Sequence, residues 1–219
     1  MTAVLLSGFD TNGFFASVVP VLKNAVTDTE SLLFIASDPH GFQKTDEYAA
    51  RIFRFFHESG MLFDRYAILD ARMPDGEQIN AITEASCVFL MGGTTLRQLD
   101  YLNAQNLIEP LRRHTGMVIG MSAGAINMAK RSVLANPDFP PVKIFEGIGL
   151  TDISVVPHFG DKTAEYIQTG ILPLTADGTI YGLCDDAVIV LKDGTETHSG
   201  TICKLTPNTI TYLSSDDSL

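Results

Sequence analysis

Six short apolar runs, separated by stretches of helical periodicity or by turn residues, constrain this chain more than any other feature. They cover residues 3–6, 31–36, 66–69, 87–91, 117–119 and 153–156. Several are apolar at consecutive positions, the pattern of strands covered on both faces of a parallel sheet. The clearest amphipathic stretch between them is 46–59, where Tyr48, Ile52 and Phe56 recur every four residues with Ala49 and Phe53 beside them. Thr45 is placed to cap this helix, Asp46 and Glu47 suit its first turn, and Gly60 can end it. Leu96, Leu99 and Leu102, then Leu107 and Leu111, mark a second helical region, interrupted near 103–106. Strand, helix and strand in repetition predict an α/β fold: a doubly wound, mostly parallel sheet flanked by helices.

After Thr179 the pattern changes. Residues 180–183, 187–191, 201–205 and 209–213 are short runs divided by turn signals such as Lys192-Asp193-Gly194 and Pro207-Asn208. They predict a C-terminal antiparallel hairpin extension. With no internal repeat, low-complexity segment or linker, residues 1–219 read as one α/β domain, and 135–141 as a surface loop within it.

Composition excludes several function classes. The formal net charge is −11, from 15 basic and 26 acidic residues. That balance disfavours nucleic-acid backbones and anionic membranes, which need clustered Lys and Arg. No apolar run approaches the ~18 residues of a membrane span. The N-terminus has neither the basic start nor the long apolar stretch of a signal peptide, so a cytoplasmic location is expected. Cys87, Cys184 and Cys203 are odd in number and show no metal-ligand spacing. Cys87 and Cys203 fall in expected strands, where a buried inert thiol is the plain reading, and a reducing compartment fits them. No metal and no cofactor is expected; a homodimer is compatible with the sequence.

The stretch from Gly116 to Ala125 carries the chemistry. A strand ends at Gly120, a helix begins near Ala123, and Ser122 stands at the corner. This is the Gly-x-Ser-x-Gly turn in the context it requires. A sharp turn brings backbones close, so bulk at Gly120 or Gly124 would clash, while the serine hydroxyl is presented near free helix N–H groups. The plainer reading is a serine capping a helix in a glycine-rich turn.

A serine hydroxyl needs a base. His57 and His114 lie in polar helix-end settings and read as surface residues, and His40 sits in a loop. His158 follows a strand directly, in Val-Val-Pro-His-Phe-Gly, where parallel sheets place their sites. The base in turn needs an orienting acid. Asp185 and Asp186 follow the 180–183 strand, and the alternative is an acidic turn. Adjacent residues on an extended segment point to opposite sides, so only one can readily reach the imidazole. Met91-Gly92-Gly93-Thr94-Thr95 ends another strand, and its glycines allow backbone N–H groups to face a substrate oxygen.

In this order, a Gly-Gly-Thr turn, a Gly-x-Ser-Ala-Gly-Ala elbow, Pro-His-Phe and an acidic pair after Gly-Leu resemble the serine peptidases of dipeptidase E and cyanophycinase. Their fold is similar to class I glutamine amidotransferases. The motifs cover roughly residues 90–191. The resemblance implies a short-peptide hydrolase with Ser122 as nucleophile, His158 as base and Asp185 as acid, with Asp186 as the alternative. It also implies oxyanion N–H groups from Gly93 and Ala123. One departure stands out. The dipeptidase E branch holds a substrate aspartate with an arginine after the histidine, whereas residues 159–180 here contain Lys162 as their only basic residue. Lysine offers charge without the bidentate fork.

Two other readings compete. An esterase of the α/β-hydrolase type would use the order serine, acid, histidine, with Asp185 or Asp186 and His198. His198 lies in an expected hairpin tip, 195–200, too close in sequence to the acids for a separate strand and helix, and no His-Gly-Gly-Gly-type motif is present. A binding protein on an amidotransferase-like scaffold would keep the elbow without using it.

Overall fold

The computed structural model describes residues 1–135, 142–207 and 209–213. The core is five parallel strands: β1 (Thr2–Leu6), β2 (Ser31–Ile35), β3 (Arg65–Leu69), β4 (Cys87–Leu90) and β5 (Met117–Met121). Consecutive apolar residues are needed because both faces are covered. Val4, Leu6, Leu32, Phe34, Phe89 and Ile119 pack under helices α1 (Val18–Ala25) and α2 (Phe42–Glu58). Leu5, Leu33, Ile35, Val88, Leu90 and Val118 face the other way, toward α3 (Asp75–Glu84), α4 (Thr95–Ala104), α5 (Ile108–Arg112) and α6 (Ala123–Met128). The break between α4 and α5 falls at Asn106, whose φ is 56°. No helix among the described residues is long and apolar enough to cross a membrane.

The rest of the chain adds two smaller layers. β6 (Arg131–Leu134) and β7 (Lys143–Glu146) pair with each other. β8 (Ser154–Val156) runs parallel to β9 (Ile180–Leu183), joined by short helical turns between Phe159 and Asp177. The next hairpin, β10 (Val188–Lys192) and β11 (Thr195–Ser199), returns to the main sheet, whose order is β11-β10-β1-β5-β4-β2-β3. β12 (Ile202–Thr206) and β13 (Thr209–Tyr212) complete a second sheet in the order β13-β12-β9-β8.

Several expectations need correction. The 153–156 run is not a main-sheet strand; it opens the second sheet. The expected antiparallel C-terminal extension is present, with its strands divided between two sheets. Residues 195–199 form a paired strand rather than a hairpin tip, because Asp193 and Gly194 alone, both at positive φ, make the turn. Helix α2 begins at Phe42, three residues before the expected cap. Asp38 turns the chain there, accepting from the His40 and Gly41 N–H groups, and Thr45 is buried inside the helix. The expected loop at 135–141 lies, beyond Ala135, outside the described residues, as does Asn208 of the second turn signal.

His114 is the other correction: it is buried, at 5% exposure, rather than on the surface. Gly116 lets the chain double back beneath it, where a side chain would meet the Ser86 carbonyl and the imidazole. Burial holds the His114 pKa below its ordinary 6.5, with the N-terminal ammonium acting the same way and the backbone near Ile82 and Met117 opposing. The unfolded state therefore binds more protons than the folded state below that value, and stability is lost as pH falls through the window beneath it. Urea unfolding between about pH 7.5 and 5.5 should show falling stability, and His114→Phe, which cannot protonate, should flatten that slope.

Candidate active site

Strands β1, β2, β4 and β5 deliver their C-terminal ends to one crevice, and Ser122 stands in it after β5. Its backbone is at φ 49° and ψ −107°, a conformation few side-chain-bearing residues adopt. The turn is held from both sides. The Ser122 N–H donates to the Leu6 carbonyl at 2.9 Å, and the Ile126 N–H donates to the Ser122 carbonyl at 3.0 Å. The flanking glycines are required by contact. A Cβ at Gly120 would lie 2.5 Å from Met128 Sδ and 2.7 Å from the Ala125 nitrogen; at Gly124 it would lie 2.2 Å from the Leu90 oxygen.

His158 follows β8 in a left-handed conformation, φ 52° and ψ 40°. Its Nε2 lies 2.9 Å from Ser122 Oγ, and its Nδ1 lies 2.6 Å from Asp185 Oδ1. A carboxylate can only accept, so Nδ1 carries the proton and Nε2 is left to accept from the serine hydroxyl. Asp186 turns away. Its carboxylate accepts from the Thr201 N–H and hydroxyl, at 3.2 and 3.1 Å, and its carbonyl accepts from Ser17 Oγ. The structure thus brings Ser122, His158 and Asp185 into one hydrogen-bonded chain and leaves Asp186 fastening the next turn. His198 lies on β11, opposite Ile189, with β10 and β1 between it and β5.

Gly93 and Ala123 border the same point. Ala123 opens α6, so its N–H has no intrahelical acceptor. Gly93 has φ 139°, and a Cβ there would lie 2.2 Å from Ser37 Oγ, so the position tolerates only glycine. Two clefts meet over the serine. One, of about 330 Å³, runs between Phe9, Asp38, Lys44, Tyr48 and the Gly92-Gly93 turn. The other, of about 500 Å³, runs between Ile126, Val133, Pro157, Asp161 and Lys162. Burial pushes the Lys162 pKa below its usual value, with nearby Asp161 and Asp185 opposing.

Among the described residues, the group close enough to share a cation is His158, Asp161 and Asp185, whose ligand atoms lie within 4.8 Å of one another. An ion there would compete with the hydrogen bonds that His158 makes to Ser122 and Asp185.

Comparison with known proteins gives these features a context. The model of peptidase family S51 matches residues 3–198. The chain belongs to peptidase family S51. This S51 chain is 35% identical over 97 residues to a probable alpha-aspartyl dipeptidase of Drosophila melanogaster, covering 42% of the chain and 39% of the relative. It is 31% identical over 132 residues to Peptidase E of Streptomyces coelicolor, covering 58% and 51%. The matched part thus spans about half or less of the length of these relatives. In fold it resembles a peptidase from an acI-B1 actinobacterium, with TM-score 0.74 and 16% identity over 100% of this chain and 96% of that one. It also resembles a putative Peptidase E from Listeria monocytogenes EGD-e, with TM-score 0.62 and 17% identity over 90% and 96%.

Sequence reasoning missed Ser7, Gly8 and Asp161, all beside this S51 site. Ser7 stands just past the end of β1, where parallel sheets place functional groups, and that position was the available signal. The two acids provide a direct check. Asp185→Asn should cut turnover by up to ~10⁴-fold with the fold intact, because the imidazolium loses its orienting charge. Asp186→Asn should cost little activity, since its carboxylate serves Thr201; kcat of both variants on one peptide substrate decides.

Proposed function

We propose that this chain is a serine peptidase of short peptides, acting through an ester on Ser122. The observation that carries the reading is the hydrogen-bonded chain from Ser122 Oγ through His158 to Asp185, placed where two clefts meet. His158 Nε2 takes the hydroxyl proton as Oγ attacks the scissile carbonyl carbon. Asp185 holds the resulting imidazolium in place. The oxyanion rests on the N–H groups of Gly93 and Ala123. As the C–N bond breaks, the imidazolium returns its proton to the departing amine. Water, deprotonated by the same nitrogen, then attacks the ester and frees Ser122.

The size of the clefts favours a dipeptide or similar amide over a folded protein, and the dipeptidase name of the Drosophila melanogaster relative agrees with that. Preference for an acidic side chain is weaker than an arginine would give. Half-buried Lys162, the only basic residue in 159–180, offers a point charge and no fork. The esterase reading is disfavoured because two strands, β10 and β1, separate His198 from β5. In this reading residues 1–219 act as one cytoplasmic domain with no nucleic-acid or membrane partner, and a homodimer is compatible with it.

Ser122→Ala should lose ~10⁴-fold or more in kcat while remaining folded. A folded variant with near wild-type hydrolysis would overturn the proposal. Screening a dipeptide library against the wild type and Lys162→Met tests the substrate side. Peptides with an acidic side chain should lose about tenfold in kcat/KM, as expected for one charge-assisted hydrogen bond, and neutral ones much less. Equal losses across the library would remove Lys162 from recognition.

A further inference from the structure

The nucleophile and its two helpers do not belong to the same sheet. Ser122 follows β5 of the main sheet, whereas His158 follows β8 and Asp185 follows β9, both of the second sheet. A reacting geometry of a few tenths of an ångström therefore spans a joint between two layers. The end of β1 lies at that joint, and three consecutive residues there touch all three groups. The Leu6 carbonyl accepts the Ser122 N–H at 2.9 Å. Ser7 Oγ accepts the His158 N–H at 2.8 Å. The Ser7 hydroxyl proton has two acceptors, Asp185 Oδ1 at 3.1 Å and the Leu183 carbonyl at 3.1 Å. At Gly8, a Cβ would lie 3.2 Å from Asp185 Oδ1 and 3.3 Å from its Cγ.

We propose that Ser7 and Gly8 form the seat that positions the His158–Asp185 pair against Ser122, Ser7 by bonding base and acid through one oxygen and Gly8 by leaving the carboxylate room. The proposal rests on the reading of Ser122, His158 and Asp185 as the reacting groups. Three features favour it over a serine that is merely satisfied in the core. Ser7 is fully buried, with 0% exposure, although a hydroxyl in that place must find partners to be tolerated. Its acceptor on the acid is Oδ1, the same atom that receives the imidazole Nδ1–H, so the hydroxyl fixes which carboxylate oxygen faces the base. The His158 backbone is held at positive φ, a conformation that persists only where surrounding contacts impose it, and the bond to Ser7 is such a contact.

Ser7 touches no reacting atom, so its role is positioning, and the test must separate that from plain stability. A fluorophosphonate reports Ser122 reactivity without a known substrate, as a maximal labelling rate and a binding constant. Ser7→Ala should lower the maximal rate roughly 10- to 100-fold, with the binding constant within about threefold, as expected for a transition-state interaction lost from a network. The low-field proton resonance of the His158–Asp185 hydrogen bond should broaden or vanish with it. Ser7→Thr, which keeps the oxygen, should recover both. Gly8→Ala should disturb the same resonance by crowding the carboxylate, and it carries the test if Ser7→Ala fails to fold. A folded Ser7→Ala protein with a lower melting temperature but wild-type labelling rate and resonance would overturn the proposal. So would a wild-type resonance and labelling rate in Gly8→Ala. If the wild type is not labelled at Ser122, the hydrolase reading fails instead, while the proton resonance still reads the seat.

Discussion

The site depends on how closely backbones approach at the corner between β5 and α6. The Gly124 Cα hydrogen faces the Leu90 carbonyl so closely that a methyl group would overlap it, and Gly120 is pressed against the first turn of α6. This contact lets α6 leave the sheet at once and turns the Ser122 side chain out over the strand ends. It also forces Ser122 to positive φ, a cost that the bonds to Leu6 and Ile126 offset.

From that corner, the second sheet becomes intelligible. β8 and β9 lie parallel to each other beside the main sheet; β8 ends by delivering His158 to Ser122, and β9 by delivering Asp185 to His158. Their own core of Val156, Phe159, Ile180, Cys203 and Leu205 fixes the two ends relative to each other. Gly182 belongs to this arrangement, because a side chain there would strike the Phe159 ring next to the base. His158 and Asp185 are therefore held by one packed unit, and in the proposed arrangement their alignment with Ser122 is decided at the contact with β1.

Much of this was legible in the residues. The buried strands appeared as consecutive apolar runs because helices cover both faces, and Asn103–Asn106 announced the break between α4 and α5. Ser122 was legible because only glycines fit the contacts around it. His158 was legible as a histidine directly after a strand; alternation along an extended segment allowed only one of Asp185 and Asp186 to face the ring, and it was the family-like spacing after Gly182-Leu183 that favoured Asp185. Where sequence reasoning erred, the cause was non-local. His114 looks polar and terminal, but its burial comes from the doubling back of the chain at Gly116. His198 looked like a hairpin tip because nothing in Thr-Glu-Thr-His-Ser states that β10 offers it a partner; the five residues are mostly polar, as an edge strand allows.

The sequence by itself determined the local chemistry: most of the buried strands, where the sharp turn falls, and a serine, a histidine and an acidic pair suited to act as nucleophile, base and acid. Those properties follow from side-chain periodicity and from the steric freedom of glycine, which act over a few residues. Only the tertiary structure decided that the tail divides between two sheets and that Ser7, more than a hundred residues from its partners, joins them. Strand pairing and buried hydrogen bonds depend on which surfaces meet, and a short polar residue after an apolar run carries no mark of its distant acceptors.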